Sequence, residues 1–212
     1  MDPLEFILIL VVILYLAVFT FHILYKCTSL EPQLKYYHYG LAFFALMFML
    51  ARIFFLLNDL FYEATLDPTQ KQGMFYLSGS ICSGLAVLGI MYVVERYVYK
   101  KLHYIPTLVV LISTGLMAVL PKINETNVVT IYSTISSLMA IIIPLLYIIV
   151  GYQVSGQTRK KSFILAFAII ILFLGNLFNT GFLKDAFPLL KIISPITILI
   201  GFVIFHYGLL FY

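Results

Sequence analysis

Arg52, Asp59 and Glu63 stand at positions i, i+7 and i+11 of an otherwise apolar run. On a helix of 3.6 residues per turn this spacing sets a cation and two carboxylates along one face. Ionisable groups in a stretch of this hydropathy are costly, and they face either a helix-bundle interior or a water-filled cavity. Two chemistries suit that stripe. Arg52 either pairs with a carboxylate or with helix-end carbonyls of a neighbouring helix and fixes packing, or it forms the charged floor of an outward-open pocket. Asn58, Tyr76, Asn176 and Asn179 fall at similar depth in other apolar runs, as do several serines. The expected ligand-binding set is Arg52, Asn58, Asp59, Tyr76, Asn176 and Asn179. Asn176 and Asn179 serve equally well as interhelical glue. The serines of the third run, which form Gly79/Ser83 and Ser80/Gly84 small-xxx-small pairs, read as packing residues.

The elements that must position these residues are helices. Hydrophobic residues make up 63% of the 212 residues and charged ones 10%, and the mean hydropathy is +1.06, far from the composition of soluble domains. Crossing the hydrocarbon takes about 20 apolar residues. Seven such runs follow one another: Leu4 to Tyr25, Tyr37 to Tyr62, Met74 to Tyr97, Tyr104 to Leu120, Val128 to Tyr152, Phe163 to Phe182 and Leu189 to Phe211. The expected fold is all-α, a single polytopic domain over residues 1–212 with seven transmembrane helices. Pro144 and Pro195 each remove a backbone donor and can kink the fifth and seventh spans, leaving freed carbonyls as ligands or hinges. With no tryptophan in the chain, the 16 tyrosines form the interfacial belt.

Excess lysine and arginine stay on the cytoplasmic side. With the amino terminus outside, the inner loops hold Lys26, Lys35, Arg96, Lys100, Lys101, Arg159, Lys160 and Lys161, against Lys71, Lys122, Lys184 and Lys191 outside. Eight to four favours amino terminus out and carboxyl terminus cytoplasmic. The outer loops also carry Glu63, Asp67, Glu125 and Asp185, and the Asn124-Glu125-Thr126 sequon falls in one of them. Asp2 and Glu5 precede the first span in place of a basic leader, so a removable signal peptide is not expected. Tyr212 closes the last span at the inner edge, so an inward signal is expected to leave through loops or helix faces. The net charge of +4 resides in these loops, and nucleic-acid binding is not expected.

Glu95-Arg96-Tyr97, in VVERYVYKKLHYIP at the inner end of the third span, resembles the Asp/Glu-Arg-Tyr signature of rhodopsin-like G-protein-coupled receptors. The seventh span has no Asn-Pro-x-x-Tyr, so the likeness is local and covers too little to carry function; chance or a plain interfacial salt bridge accounts for the triplet. The segment IPLLYIIVGYQVSGQTRKKSFILAFAIIILFLG, with Ser155-Gly156 and Arg159-Lys160-Lys161, is similar to the fifth-to-sixth region of the seven-helix input domains of prokaryotic histidine kinases and of stand-alone archaeal relatives. That resemblance implies a membrane sensor whose output partner is supplied in trans. A retinal chromophore is not expected, because Lys191 at the outer mouth is the lysine of the seventh span. Pro32-Gln33 is similar to the proline-glutamine pairs of sugar transporters and the ER retention receptor, but it lies in a loop.

Neither HExxH nor GxSxG occurs, and Cys27 and Cys82 offer no metal spacing; neither catalysis nor a cofactor or metal is expected. Three readings follow. The first is a sensor or receptor-like protein of the cell membrane that takes a small molecule from outside. Its inner face, Glu95, Arg96, Lys100, Lys101, Arg159, Lys160 and Lys161, would contact a cytoplasmic or membrane protein partner. Positive-inside bias alone also accounts for those basic residues. The second is a small secondary transporter using the same charged residues, against which stands the absence of a repeat between the first three and last three spans. The third is a non-catalytic subunit of a membrane complex. Under all three the lipid bilayer is the surrounding solvent.

Overall fold

Asp2 and Pro3 start the first helix as the capping rules require. The Asp2 carboxylate accepts the Leu4 N–H at 2.8 Å, and Pro3 occupies the first helical position, where its missing donor costs nothing. The same proline start opens the second helix at Pro32, so Pro32-Gln33 stands in the first turn of a helix and not in the loop expected from hydropathy. The computed structural model describes residues 2–62, 74–119, 125–179 and 181–210, without the side chains of residues 33, 62, 125–130, 181, 182 and 185. Glu63, Asp67, Lys71, Lys122, Asn124, Tyr212 and the side chains of Glu125 and Asp185 lie outside the described residues.

Among the described residues every regular element is helical. The order is α1 (Pro3–Cys27), α2 (Pro32–Tyr62), α3 (Met74–Val93), α4 (Ile105–Val119), α5 (Glu125–Ala140), α6 (Ile142–Gln153), α7 (Gly156–Phe178), α8 (Gly181–Ala186) and α9 (Leu190–Leu210). A π turn at Val94–Val98 and a 3-10 turn at Lys100–Leu102 join α3 to α4.

Six of the described segments are long and apolar enough to cross a membrane: Pro3–Cys27, Leu34–Phe61, Met74–Val98, Ile131–Gln153, Gly156–Phe178 and Leu190–Leu210. That is the pattern of a multi-pass helical membrane protein. The expected fourth span is different. Helix α4 is apolar but has 15 residues, about 22 Å of rise against about 30 Å of hydrocarbon.

The expected fifth span is two helices, α5 ending at Ala140 and α6 beginning at Ile142. Pro144 explains the break. It has no N–H for the carbonyl of Ala140, four residues back, and its ring crowds that carbonyl. Helix α9, by contrast, continues through Pro195.

The chain divides into two compact units. One comprises Leu16–Met139; the other comprises Asp2–Tyr15 and Ala140–Tyr212. The division of the later chain therefore falls at the proline break.

In the first unit α2 and α3 run antiparallel. Phe43 meets Gly89, Phe55 meets Gly79, and Phe61 stacks on Phe75 with ring centroids 6.0 Å apart. On another face of α3, Gly84 receives Thr114 of α4; a Cβ at Gly84 would lie 3.2 Å from the Thr114 Cβ. Gly79 and Gly89 admit α2 and Gly84 admits α4, so the small-residue pattern of this helix serves two contacts. Ser113 and Ser136 link α4 to α5 at 2.9 Å.

In the second unit α7 and α9 form an antiparallel pair whose backbones nearly touch. A Cβ on Gly175 would stand 3.0 Å from the Ile198 nitrogen, and one on Gly201 3.0 Å from the Leu172 nitrogen. Only glycine permits that approach. The Ser194 hydroxyl donates to the Gly175 carbonyl at 2.9 Å and pins the register.

Candidate functional site

Arg52 lies twenty residues into α2 and is buried, with 8% of its surface exposed. Its guanidinium sits over the Phe48 ring, 4.8 Å from the centroid, one turn back on the same helix. That contact is worth about 1–2 kcal/mol when desolvated. It also gives the charge an aromatic face inside an apolar segment. Phe55, on the next turn, carries the α3 contact: its ring lies 5.7 Å from that of Tyr76 and fills the space over Gly79.

Asn58, one turn further, is 9% exposed, and its Oδ1 makes no hydrogen bond with the described residues. A buried amide oxygen in that state costs about 1–3 kcal/mol. Asp59 is partly exposed beside it. Ser80 of α3 is buried next to the Tyr76 hydroxyl. Arg52, Asn58, Asp59 and Tyr76 therefore belong to one helix pair of the first unit.

Asn176 and Asn179 belong to the second unit. Asn176 Nδ2 donates to the Leu172 carbonyl of its own helix at 2.9 Å. Asn179 ends α7, its backbone N–H bonded to the Asn176 carbonyl at 3.1 Å.

The other cluster singled out by sequence is at the far end of α3, where the helix widens into the π turn. The backbone N–H of Tyr99 closes it on the Val94 carbonyl at 2.8 Å. π turns are rare and concentrate at functional sites. Glu95 and Arg96 do not form the salt bridge that their adjacency suggests. The Glu95 side chain turns inward, 2% exposed. Its Oε2 accepts from the Thr107 hydroxyl in the first turn of α4 at 2.6 Å, and its Oε1 is without a hydrogen-bond partner among the described residues.

Arg96 turns outward. It donates to the Tyr92 hydroxyl, and its guanidinium lies 5.7 Å from the Tyr92 ring and 5.6 Å from the Tyr97 ring. Tyr92 stacks on Tyr104 at 5.9 Å, and Tyr97 meets Tyr37 of α2 edge-on at 6.1 Å. Lys100 and Lys101 project from the 3-10 turn, both exposed. His103 and Tyr104 follow with φ of 51° and 60°, left-handed conformations that cost non-glycine residues roughly 1–2 kcal/mol each. They let the chain reverse from the π turn into α4 and bring Thr107 to Glu95.

In the second unit, Arg159 lies over the Phe163 ring at 5.8 Å, and both it and Lys160 are exposed near the start of α7. Lys161, the next residue, is half-buried.

Sequence reasoning missed one pair outright, and for His206, where bonding to a neighbouring hydroxyl is the expected role, it did not identify the partner. Glu5, read as a flank of the first span, is buried and bonded to Lys184 at 2.9 Å. Tyr15 shares a hydrogen bond with His206 Nδ1 at 3.0 Å. The partners are 179 and 191 residues apart, beyond any local signal. Among the described residues no three His, Cys, Asp or Glu side chains converge in a way that would hold a metal. No family model matches this chain, and no curated protein or solved structure matches it either.

Proposed function

We propose that this chain is a sensor or receptor-like protein of the cell membrane, which takes a small molecule from outside and passes the signal to a protein partner in trans. The observation that carries this reading is Asn58: a buried side chain in a membrane-length helix, two turns from a buried arginine, whose amide oxygen makes no hydrogen bond with the described residues. Buried polar groups are bonded as a rule, and a ligand donor would offset this cost. Arg52 and Asp59 on the same helix add a charge of each sign. The site is confined to α2 and α3, and Tyr76 forms its α3 side. A ligand preferring one arrangement of these helices would shift the population of states presented by the inner loops.

A thermal-shift screen of small amino acids, carboxylates, sugars and nucleosides tests the reading. A compound that raises the melting temperature of wild type and leaves Asn58→Leu unmoved supports it. Equal shifts in both proteins, or none across the panel, overturn it.

The proposed topology has seven crossings, amino terminus outside and carboxyl terminus inside. Seven crossings keep Arg96, Lys100 and Lys101 on the same side as Arg159, Lys160 and Lys161; six, with α4 lying at the interface, would separate the two clusters. Helix α4 crosses by local thinning of the bilayer and by use of its flanking residues, which cost fractions of a kcal/mol per Å of mismatch. Single cysteines at Lys101 and Lys160, probed with a membrane-impermeant thiol reagent in a Cys27→Ala, Cys82→Ala background, distinguish the models. Protection of both in right-side-out vesicles supports seven crossings, and labelling of one alone supports six.

A transporter reading is favoured by one observation, the break between α5 and α6 at Ile141, because discontinuous helices are how secondary transporters build substrate sites. Uptake of the stabilising compound into proteoliposomes would favour it over sensing.

A further inference from the structure

We propose that Arg96, Lys100 and Lys101 form a binding site for the phosphate of an anionic lipid headgroup, with Arg96 as its fixed element. The inference rests on the membrane crossing of α3. Three features of this cluster go beyond a general excess of positive charge.

The Arg96 charge is available. The adjacent carboxylate of Glu95 is buried against Thr107, and among the described residues no carboxylate lies within ion-pair distance of Arg96, Lys100 or Lys101. The Arg96 guanidinium is also held in place. The Tyr92 hydroxyl and the flanking rings of Tyr92 and Tyr97 restrict its rotamers, while Tyr104 and Tyr37 back those rings. A planar fork positioned in this way suits two oxygens of one phosphate, and little side-chain entropy remains to be lost on binding.

The depth is appropriate as well. The apolar segment Met74–Val98 ends between Arg96 and the two lysines, and the exposed rings of Tyr92 and Tyr104 occupy the level at which tyrosine anchors helices to headgroups. Lys100 and Lys101, from a 3-10 turn directly beyond the helix end, would add point charges around the phosphate bound by Arg96. The anionic leaflet of a cell membrane is the cytoplasmic one, the side that the proposed orientation gives this end of α3.

The test is native mass spectrometry of the full chain released from nanodiscs of phosphatidylcholine alone or phosphatidylcholine mixed with phosphatidylglycerol. Carbonate extraction of the expressed protein from membranes is scored first: extraction as a soluble protein would overturn both the membrane reading and this inference. With insertion established, wild type is expected to retain phosphatidylglycerol in preference to phosphatidylcholine. Arg96→Gln, Lys100→Gln and Lys101→Gln together should abolish that preference, each contributing on the order of fivefold. The control triple Arg159→Gln, Lys160→Gln, Lys161→Gln removes the same charge from the second unit and should leave the preference intact.

Arg96→Lys keeps the charge and loses the fork, so a several-fold drop is expected. Equal loss in the two triples, no drop in Arg96→Lys, or no preference in wild type would each overturn the proposal. So would binding of an acidic peptide to the wild-type cluster that lipid does not compete away, since that would assign the surface to a protein.

Discussion

The two units handle buried polarity in different ways. In the second unit the buried polar side chains are Glu5, Ser162 and Ser194, and each is bonded: to Lys184, to the Thr158 carbonyl and to the Gly175 carbonyl. In the first unit Thr20, His38, Ser113 and Ser136 are satisfied in the same manner. Yet Asn58 Oδ1, Glu95 Oε1 and Thr114 Oγ1 are buried without a partner, and all three such atoms among the described side chains fall in this unit. Each is a loss of about 1–3 kcal/mol. Proteins depart from local consistency where function demands it. The contrast teaches that α7 and α9 form a closed scaffold pair, whereas α2, α3 and α4 carry unsatisfied chemistry at both ends.

The largest effect that bears on this contrast belongs to the close approach of α7 and α9. Gly201→Val would drive a side chain against Leu172, whose Cγ already lies 2.8 Å from the position of a Cβ and whose nitrogen lies 3.0 Å from it. We expect a loss of about 3 kcal/mol, read as a drop in melting temperature in detergent. A melting temperature equal to wild type would mean that the second unit is looser than its geometry implies.

Next comes the ion pair of the same unit. Lys184→Met leaves Glu5 buried without its partner and is expected to cost about 2 kcal/mol. Glu5→Leu added to Lys184→Met should restore most of the stability, because the uncompensated charge is then gone. An additive second loss would assign the effect to packing.

The smallest changes have opposite signs in the two units. Asn58→Leu removes an unsatisfied amide and should stabilise the protein by about 1 kcal/mol. Asn176→Leu removes a bonded one and should destabilise it by a similar amount. Chemical denaturation in mixed micelles reads both, and destabilisation by Asn58→Leu would erase the distinction between the units.

Much of the fold is legible in the chain. Hydropathy alone locates the six long segments, because lipid requires each backbone to satisfy itself within a helix. One span departed from its expected form for a local reason, since Pro144 ends α5 four residues upstream of itself, while α4 has 15 residues among those described. Of the residues of the candidate site, Arg52, Asn58, Asp59 and Tyr76 lie on one helix pair, since α2 and α3 are consecutive and pack antiparallel. The direction of Glu95 and Arg96 was not legible. Adjacent residues on a regular helix diverge by a fixed angle, but the π turn and the Thr107 bond decide which of the two is buried.

The sequence by itself determined that this chain is helical, built of membrane-length segments, and sparing with charge inside them, because periodicity and hydropathy are properties of the covalent chain. Tertiary structure alone decided which polar groups found partners. Glu5 met Lys184, Tyr15 met His206, and the Asn58 Oδ1 found no partner among the described residues. Such pairings depend on which helix lies alongside which, and on how closely glycine lets two backbones approach, and no local pattern encodes either.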